Sequence, residues 1–461
     1  METGINNSYN ERLQKSVLRP LYHTSRGYYA FIMVLLAVIA WGLYNYTTQL
    51  RLGLAVTGLS DTIFWGFYIV NFVFFVGISY AGTLVSAVLR VTGASWRTPI
   101  TRMAEVIAVV GLMIGGLMPI IDLGHPDRVL NLFIYGRLLS PLVWDIISIM
   151  TYFIACIIYL YLPLIPDMAF MRDNLEEGAS AFRRKFYTFF AAGWRNTPEQ
   201  RRSLEKGMRI MAVIIIPIAI FVHTVVSYIF SLTLRPGWNS TIYGPYFVIG
   251  AIFSGTAAIL IVMVIFRKLF HLEEYITERQ FRYLSYLLVA LLLFYAYFFF
   301  TEYLTVGYTG ELGEKELLSK LMQGSSAVWF WSFVAGGLII PGILIVFRKI
   351  NIITRVVIAS VFIFVAMWIK RFVIVVGTLE VPQIPTAFVI YKPSIVEISI
   401  TAAALAGFVL LFAIFAKIFP IISIWEVTGE HNGMPLTNQA QIENKSKASA
   451  QLESKDSHNV T

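Results

Sequence analysis

Ten runs of roughly twenty apolar residues, each closed by a polar or basic stretch, organise this chain between residues 28 and 419. Their approximate limits are 28–50, 62–90, 100–122, 142–164, 208–233, 243–267, 282–305, 326–347, 353–376 and 395–419. A bilayer core of about 30 Å takes about 20 helical residues to cross. The pattern therefore predicts ten transmembrane helices and an all-α integral membrane fold, with a membrane domain over 28–425. Residues 1–27 are polar and basic and form an N-terminal segment. The first apolar run is long enough to span, so no cleavable signal peptide is expected. After Trp425 the composition turns abruptly to Asn, Gln, Lys, Ser and Glu, and 426–461 is expected to be a disordered tail.

Composition agrees: 57% of residues are hydrophobic and 14% charged, against about 25% charged in soluble domains. The mean hydropathy is +0.70. A pI near 9.4 raises nucleic acid as a partner, but the placement of the basic residues removes it. When the segments are assigned alternately to two sides, only nine of the 36 Lys and Arg residues lie opposite the termini. The positive-inside rule then predicts a multi-pass protein of the cell (inner) membrane with both termini in the cytoplasm. In the long loop 165–207, Arg183, Arg184, Lys185, Arg201 and Arg202 alternate with Phe182, Phe186, Phe189, Phe190 and Trp194. That alternation predicts a basic amphipathic helix on anionic headgroups.

A weak repeat links span two (Gly66-Phe67-Tyr68-Ile69, then Ala81-Gly82-Thr83, ending at Arg90) with span six (Gly244-Pro245-Tyr246-Phe247, then Ser254-Gly255-Thr256, ending at Arg267). It suits two four-helix bundles, 62–233 and 243–376, with spans one and ten peripheral. Gly82 and Gly255 are expected to let helices approach closely.

The chemistry concentrates where spans three and four meet water, at Asp122-Leu123-Gly124-His125-Pro126-Asp127-Arg128 and Ser140-Pro141-Leu142-Val143-Trp144-Asp145. Ionisable residues are costly at a membrane-helix mouth and mark a functional site by default. Asn71 and Tyr80 on span two, Glu105 on span three and His223 on span five add polar groups nearby. Quinone chemistry needs a hydrogen-bond partner for each oxygen and a group that exchanges the accompanying proton. Phe64, Trp65, Phe67, Phe74, Phe75 and Trp144 could line an apolar slot. Each residue also has a structural account. Asp122 can simply end span three, Asp127 and Arg128 can pair, and Asp145 can be a first-turn acid after Pro141. His223 can be a core histidine, and Glu105 can snorkel near Arg102. In the second bundle, Glu302, Tyr303, Glu397, Lys370 and Arg371 read as helix-end groups, the two cations as interfacial anchors. Tyr295, Tyr297, Trp329 and Trp331 read as interface or packing aromatics.

Several classes are excluded or set aside. One cysteine, Cys156, leaves no disulfide framework, no cysteine-ligated iron–sulfur cluster and no CxxCH haem attachment. A dihaem cytochrome needs paired intramembrane histidines, and only His223 of the six lies deep in a span. A secondary transporter would show matched helix breaks, and Pro217 in span five has no counterpart in span nine or ten. A transporter stays as an alternative, as does a purely structural anchor.

At these residues the chain resembles the NrfD/PsrC family, the membrane subunits of polysulphide reductase-type complexes. The match lies in D-L-G-x-P-x-R at 122–128 and S-P-L-x-W-D at 140–145. Phe64-Trp65-Gly66-Phe67-Tyr68, Gly77-Ile78-Ser79-Tyr80-Ala81-Gly82-Thr83 and Arg97-Thr98-Pro99-Ile100-Thr101-Arg102 add to it. Ten spans look like the longer branch, with alternative complex III and Dsr- and Hmc-type membrane subunits. The resemblance implies a chain that binds no haem or metal of its own and binds menaquinone or ubiquinone near the outer face. It also implies an iron–sulfur (ferredoxin-like) subunit docked there, with molybdopterin or cytochrome c subunits beyond. Asp145 matches the span-four acid implicated in quinol binding. Asp122 and Tyr80 stand where complex III-like members have histidines, and the histidine here is His125. The chain is thus expected to be a quinone-reactive subunit of a respiratory oxidoreductase, not catalytic alone. Asp145, Asp122 and His125 are the expected reactive residues, and Arg128, Trp144, Tyr80 and Asn71 line the site. His223 and Glu105 are the expected proton path.

Overall fold

The computed structural model describes residues 24–175, 180–347, 350–381 and 389–431. Ten helices are long and apolar enough to cross a membrane among these residues. They are spans one to ten: Arg26–Leu52, Phe67–Val91, Thr98–Asp122, Pro141–Asp173, Pro198–Ser231, Tyr243–Leu269, Glu278–Thr309, Ala327–Val346, Ile352–Gly377 and Ile395–Ile418. Spans four, five and seven run several turns beyond their apolar stretches. Their polar ends are set by local chemistry: Thr197 caps span five through the Gln200 N–H, and Thr277 with Gln280 forms a capping box on span seven.

Spans two to five pack as one bundle and spans six to nine as a second, with spans two and six in contact across the junction. Spans one and ten pair with each other along the side, chiefly against span three. Their ends meet: Tyr28 donates to the Ala413 carbonyl at 3.2 Å, and Lys417 to Thr24 at 3.3 Å. This end of the molecule, where the described chain begins and ends, is the terminal face; the opposite end is the distal face.

The two glycines singled out by the weak repeat sit where helices touch. A Cβ on Gly82 would run into the Ala104 carbonyl oxygen, and one on Gly255 into the Ala81 side chain. Backbone cannot give way as a flexible side chain can, and overpacking costs about 1–3 kcal/mol. Gly82→Ala is therefore expected to lower the melting temperature in detergent, while Gly116→Ala, which meets nothing within 4 Å, leaves it unchanged or raises it. Equal melting points for the two variants would refute close packing at Gly82.

Two features depart from the expected pattern. Spans eight and nine each contain a π-helical segment, Val334–Ile339 and Val373–Gly377; the first runs up to Pro341, whereas span nine is interrupted without proline. The expected tail also begins too early. Residues Ile424–His431 form a short helix folded back under the first bundle, while 432–461, and residues 1–23 at the other end, lie outside the described residues. In the long loop the amphipathic helix is confined to Ala181–Phe190, where Phe182 and Phe189 are exposed. Arg201 and Arg202 instead belong to the terminal extension of span five.

Candidate functional site

Asp145 lies one turn into span four and is only 6% exposed. Its Oδ1 is buried without a hydrogen-bond partner, and the Ser148 hydroxyl bonds the Asp145 carbonyl rather than its carboxylate. Such an atom is destabilising by about 1–3 kcal/mol unless a ligand or water meets it. Asp122, at the last turn of span three, also has a buried, unpartnered Oδ1. It faces Tyr68 and Glu397. Tyr68 in turn donates to Gln49 at 2.6 Å, and Gln49 donates to the Ile121 carbonyl at 2.9 Å. Asp122 thus belongs to a polar pole shared by spans one, two, three and ten.

The other expected residues divide. His125 and Asp127 are exposed on the distal loop, 3.8 Å apart, so Asp127 pairs with His125 and not with Arg128. Trp144 is 37% exposed and its indole donates to the Leu138 carbonyl. Asn71 is buried with both ends of its amide committed, donating to Thr401 and accepting from Trp368, each at 2.9 Å. It ties span two to spans nine and ten. Tyr80 and His223 are both fully buried and stack at 4.6 Å between ring centroids. The Tyr80 hydroxyl and both His223 nitrogens lack partners, so His223 is not a satisfied core histidine.

Below them runs a ladder that sequence reading passed over. Ser79, Thr83, Ser86 and Arg90 fall on one face of span two, and Tyr152, Cys156 and Tyr159 on the facing stripe of span four. Tyr152 donates to the Ser79 carbonyl at 3.2 Å, Thr83 meets Cys156 at 3.3 Å, and Ser86 meets Tyr159 at 3.2 Å. Ser86 also donates to Glu105 at 2.7 Å, and Arg90 stands 3.8 Å from Glu105. Glu105 is 2% exposed; it ends this ladder and does not snorkel. The spacing of three and four residues on each span was the available signal.

The ladder closes on the terminal face with Glu426, which accepts from Arg90 at 2.8 Å and from Arg97 at 2.9 Å. Burial pushes the Glu426 carboxyl up, but the two guanidiniums outweigh it and hold it at about 2, against an ordinary 4.5. A carboxyl depressed on folding stabilises above its unfolded value and loses that stabilisation as pH falls through its folded one. The stabilisation, on the order of 3 kcal/mol, is expected to disappear between about pH 4.5 and 2. Limited proteolysis near residue 424 should rise over that range in wild type, and at neutral pH in Glu426→Gln. Equal resistance in the two proteins at neutral pH would sink the claim.

The second bundle corrects the helix-end reading. Lys370 is 0% and Arg371 2% exposed, so neither snorkels. Glu302 and Tyr295 are buried beside them, whereas Tyr297, Trp329 and Trp331 are exposed. Glu397 does open span ten as a capping-box acid, bonded to the Ser394 and Gly58 amides and to Tyr391.

Residues 55–382 match the family described as polysulphide reductase, NrfD. The chain belongs to the NrfD family. Among curated NrfD-like relatives, it is 24% identical over 414 residues to the Hdr-like menaquinol oxidoreductase integral membrane subunit of Archaeoglobus fulgidus, covering 86% of this chain and 94% of that one. A selenate reductase subunit of Mesobacillus selenatarsenatis is 22% identical over 437 residues, 91% and 98% of the two chains. A putative dimethyl sulfoxide reductase membrane subunit from Halobacterium salinarum is 29% identical over 235 residues, a match spanning about half of each chain. NrfD membership and the ten spans make this a multi-pass membrane subunit of the oxidoreductase type.

Proposed function

We propose that the chain is the quinone-binding membrane subunit of a multisubunit respiratory oxidoreductase, with Asp145 at the heart of the site. The observation that carries this reading is the Asp145 carboxylate, buried in the first bundle with Oδ1 unpartnered. A relative named as a menaquinol oxidoreductase subunit over nearly its whole length supports it. In this reading the terminal face is cytoplasmic, in line with its basic loops, and the distal face meets the partner subunits. Asp145 binds one quinone oxygen and exchanges its proton, and Asp122 serves the second oxygen or the entrance. Tyr80 and His223 continue toward the span two and four ladder, which ends at Glu105. The quinone, when bound, would exchange two electrons and two protons, and an iron–sulfur centre of a partner on the distal face would give or take the electrons.

The loop between spans three and four favours such a partner. Leu130, Phe133, Ile134, Tyr135, Leu138 and Leu139 are 61–87% exposed there, beside His125 and Arg128. These two are better placed for docking than for holding quinone. The same surface would serve a structural anchor without quinone turnover. Titration of the purified full chain, and of the assembled complex, with a fluorescent quinone-site inhibitor decides between them. Saturable binding displaced by menaquinone or ubiquinone is expected; its absence in the assembled complex would leave the anchor.

A further inference from the structure

The quinone reading leaves a second set of buried ionisable groups unused. Glu302 and Tyr303 on span seven, Lys370 and Arg371 on span nine, and Tyr243, Tyr246 and Tyr295 on spans six and seven form one cluster inside the second bundle. Lys370 donates to the Tyr303 hydroxyl at 3.0 Å, and its ammonium lies 4.9–5.6 Å from the rings of Tyr246, Phe299, Tyr303 and Phe333. Arg371 sits 4.8 Å over the Phe247 ring. Among the described residues no carboxylate pairs directly with either cation; Glu302 acts on Lys370 only across a gap.

Three observations argue against mere packing. Glu302 Oε2, Arg371 Nη2 and the Tyr246 and Tyr295 hydroxyls are buried without partners. The Tyr246 and Tyr295 hydroxyls are set against each other and Glu302 against Tyr243, whose own hydroxyl donates to the Gly237 carbonyl. A cavity of about 20 Å³ lies against Glu302, Tyr243 and Tyr303 and reaches Gly237 and Thr378 at the distal face; one water needs about 10–15 Å³. The helices around it are π-helical at Val334–Ile339 and Val373–Gly377, a distortion that recurs at functional sites.

The cluster also abuts the first bundle: the Phe247 ring under Arg371 stands 5.7 Å from that of Phe230 on span five. His223 lies within electrostatic reach of Arg371 on one side and stacks on Tyr80 on the other. Unpartnered donors (Arg371, Tyr246, Tyr295) and unpartnered acceptors (Glu302, a His223 nitrogen) occur together here. A water in the cavity beside Glu302 would meet its bare oxygen, whereas a bound anion would be repelled by that carboxylate.

We propose that the second bundle holds a proton-transfer site, centred on Glu302 with Lys370, that continues the first-bundle path through His223 and Arg371 to the distal face. One proton adds to the Glu302 carboxylate from the His223 side and leaves it through the distal cavity. Only O–H bonds form and break, and no electrons move. The neighbouring Lys370 charge hastens its release. The polar thread then runs the length of the molecule, changing bundle at His223.

The inference rests on the quinone reading, so its test keeps the two apart. The assembled complex is reconstituted in liposomes, and quinone binding, electron-transfer rate and protons moved per electron are measured together. Glu302→Gln and Lys370→Met are expected to bind quinone as wild type does and keep turnover within about twofold, while protons per electron fall by at least half. Tyr295→Phe removes one hydroxyl and keeps the ring that packs on Tyr246 and Phe253, and should lower the same ratio. Wild-type ratios in the variants that assemble overturn this proposal alone. A wild-type complex that transfers no electrons to or from quinone overturns both readings.

Discussion

Asp145→Asn is expected to weaken quinone-site binding by about 10- to 100-fold without unfolding the protein. The carboxylate makes no side-chain hydrogen bond, so an asparagine of the same shape breaks nothing in the unliganded state. Its loss falls on the ligand. A hydrogen bond to a charged group contributes about 1.5–3 kcal/mol, and about 1.4 kcal/mol is tenfold in affinity. The melting temperature is expected to stay level or rise, because a buried acid has been neutralised. Titration of both proteins with a fluorescent quinone-site inhibitor reads the effect. Equal affinities in folded protein would remove Asp145 from the site. Asp122→Asn, by contrast, lies among Tyr68, Gln49 and Glu397, and a drop in melting temperature there would mark Asp122 as a structural acid.

The largest effect on stability is expected from Arg102→Met. Arg102 is 1% exposed and pairs with the fully buried Asp167 at 2.5 Å. It also donates to the Pro163 carbonyl at 2.8 Å and the Pro420 carbonyl at 3.3 Å. Removing one partner of a buried pair strands the other charge, at about 3–5 kcal/mol. Low yield and a clear fall in melting temperature are expected. Pairing the change with Asp167→Leu should recover part of the loss, because the stranded carboxylate is gone. The two orphaned carbonyls and the Trp425 amide, which donates to Asp167 at 3.0 Å, would keep the recovery incomplete. No difference between single and double variants would refute the pair.

The spans were plain in the sequence because a bilayer imposes length and hydropathy directly, and lysine and arginine placement marks the faces. Asp145 was visible for a related reason, as a charge set beside a proline at a helix mouth. What stayed hidden depends on which way a helix is turned. Lys370 and Arg371 end an apolar run just as anchors do, and only packing shows that both turn inward. Asn71 carried the polarity of a ligand group, but its amide is occupied by spans nine and ten, which no local pattern encodes. Glu426 follows a change to polar composition that reads as solvated tail. Its partners, Arg90 and Arg97, lie more than 300 residues earlier. The π-helical segment of span nine has no proline and so no local signal, whereas that of span eight carries Gly336-Gly337 and ends beside Pro341.

The turn-under of Ile424–His431 bears on how the protein is made. A nascent chain reaches the membrane in order, so spans two and three are inserted long before residue 426 exists. Until then Arg97 lacks its carboxylate, Arg90 has Glu105 alone at 3.8 Å, and Arg102 lacks the Pro420 carbonyl. The earliest part of the bundle is therefore completed by nearly the last part of the membrane domain to be synthesised. The helix after span ten acts as a closing latch, and a ribosome halted just short of it would release ten inserted helices with the basic end of the first bundle still open.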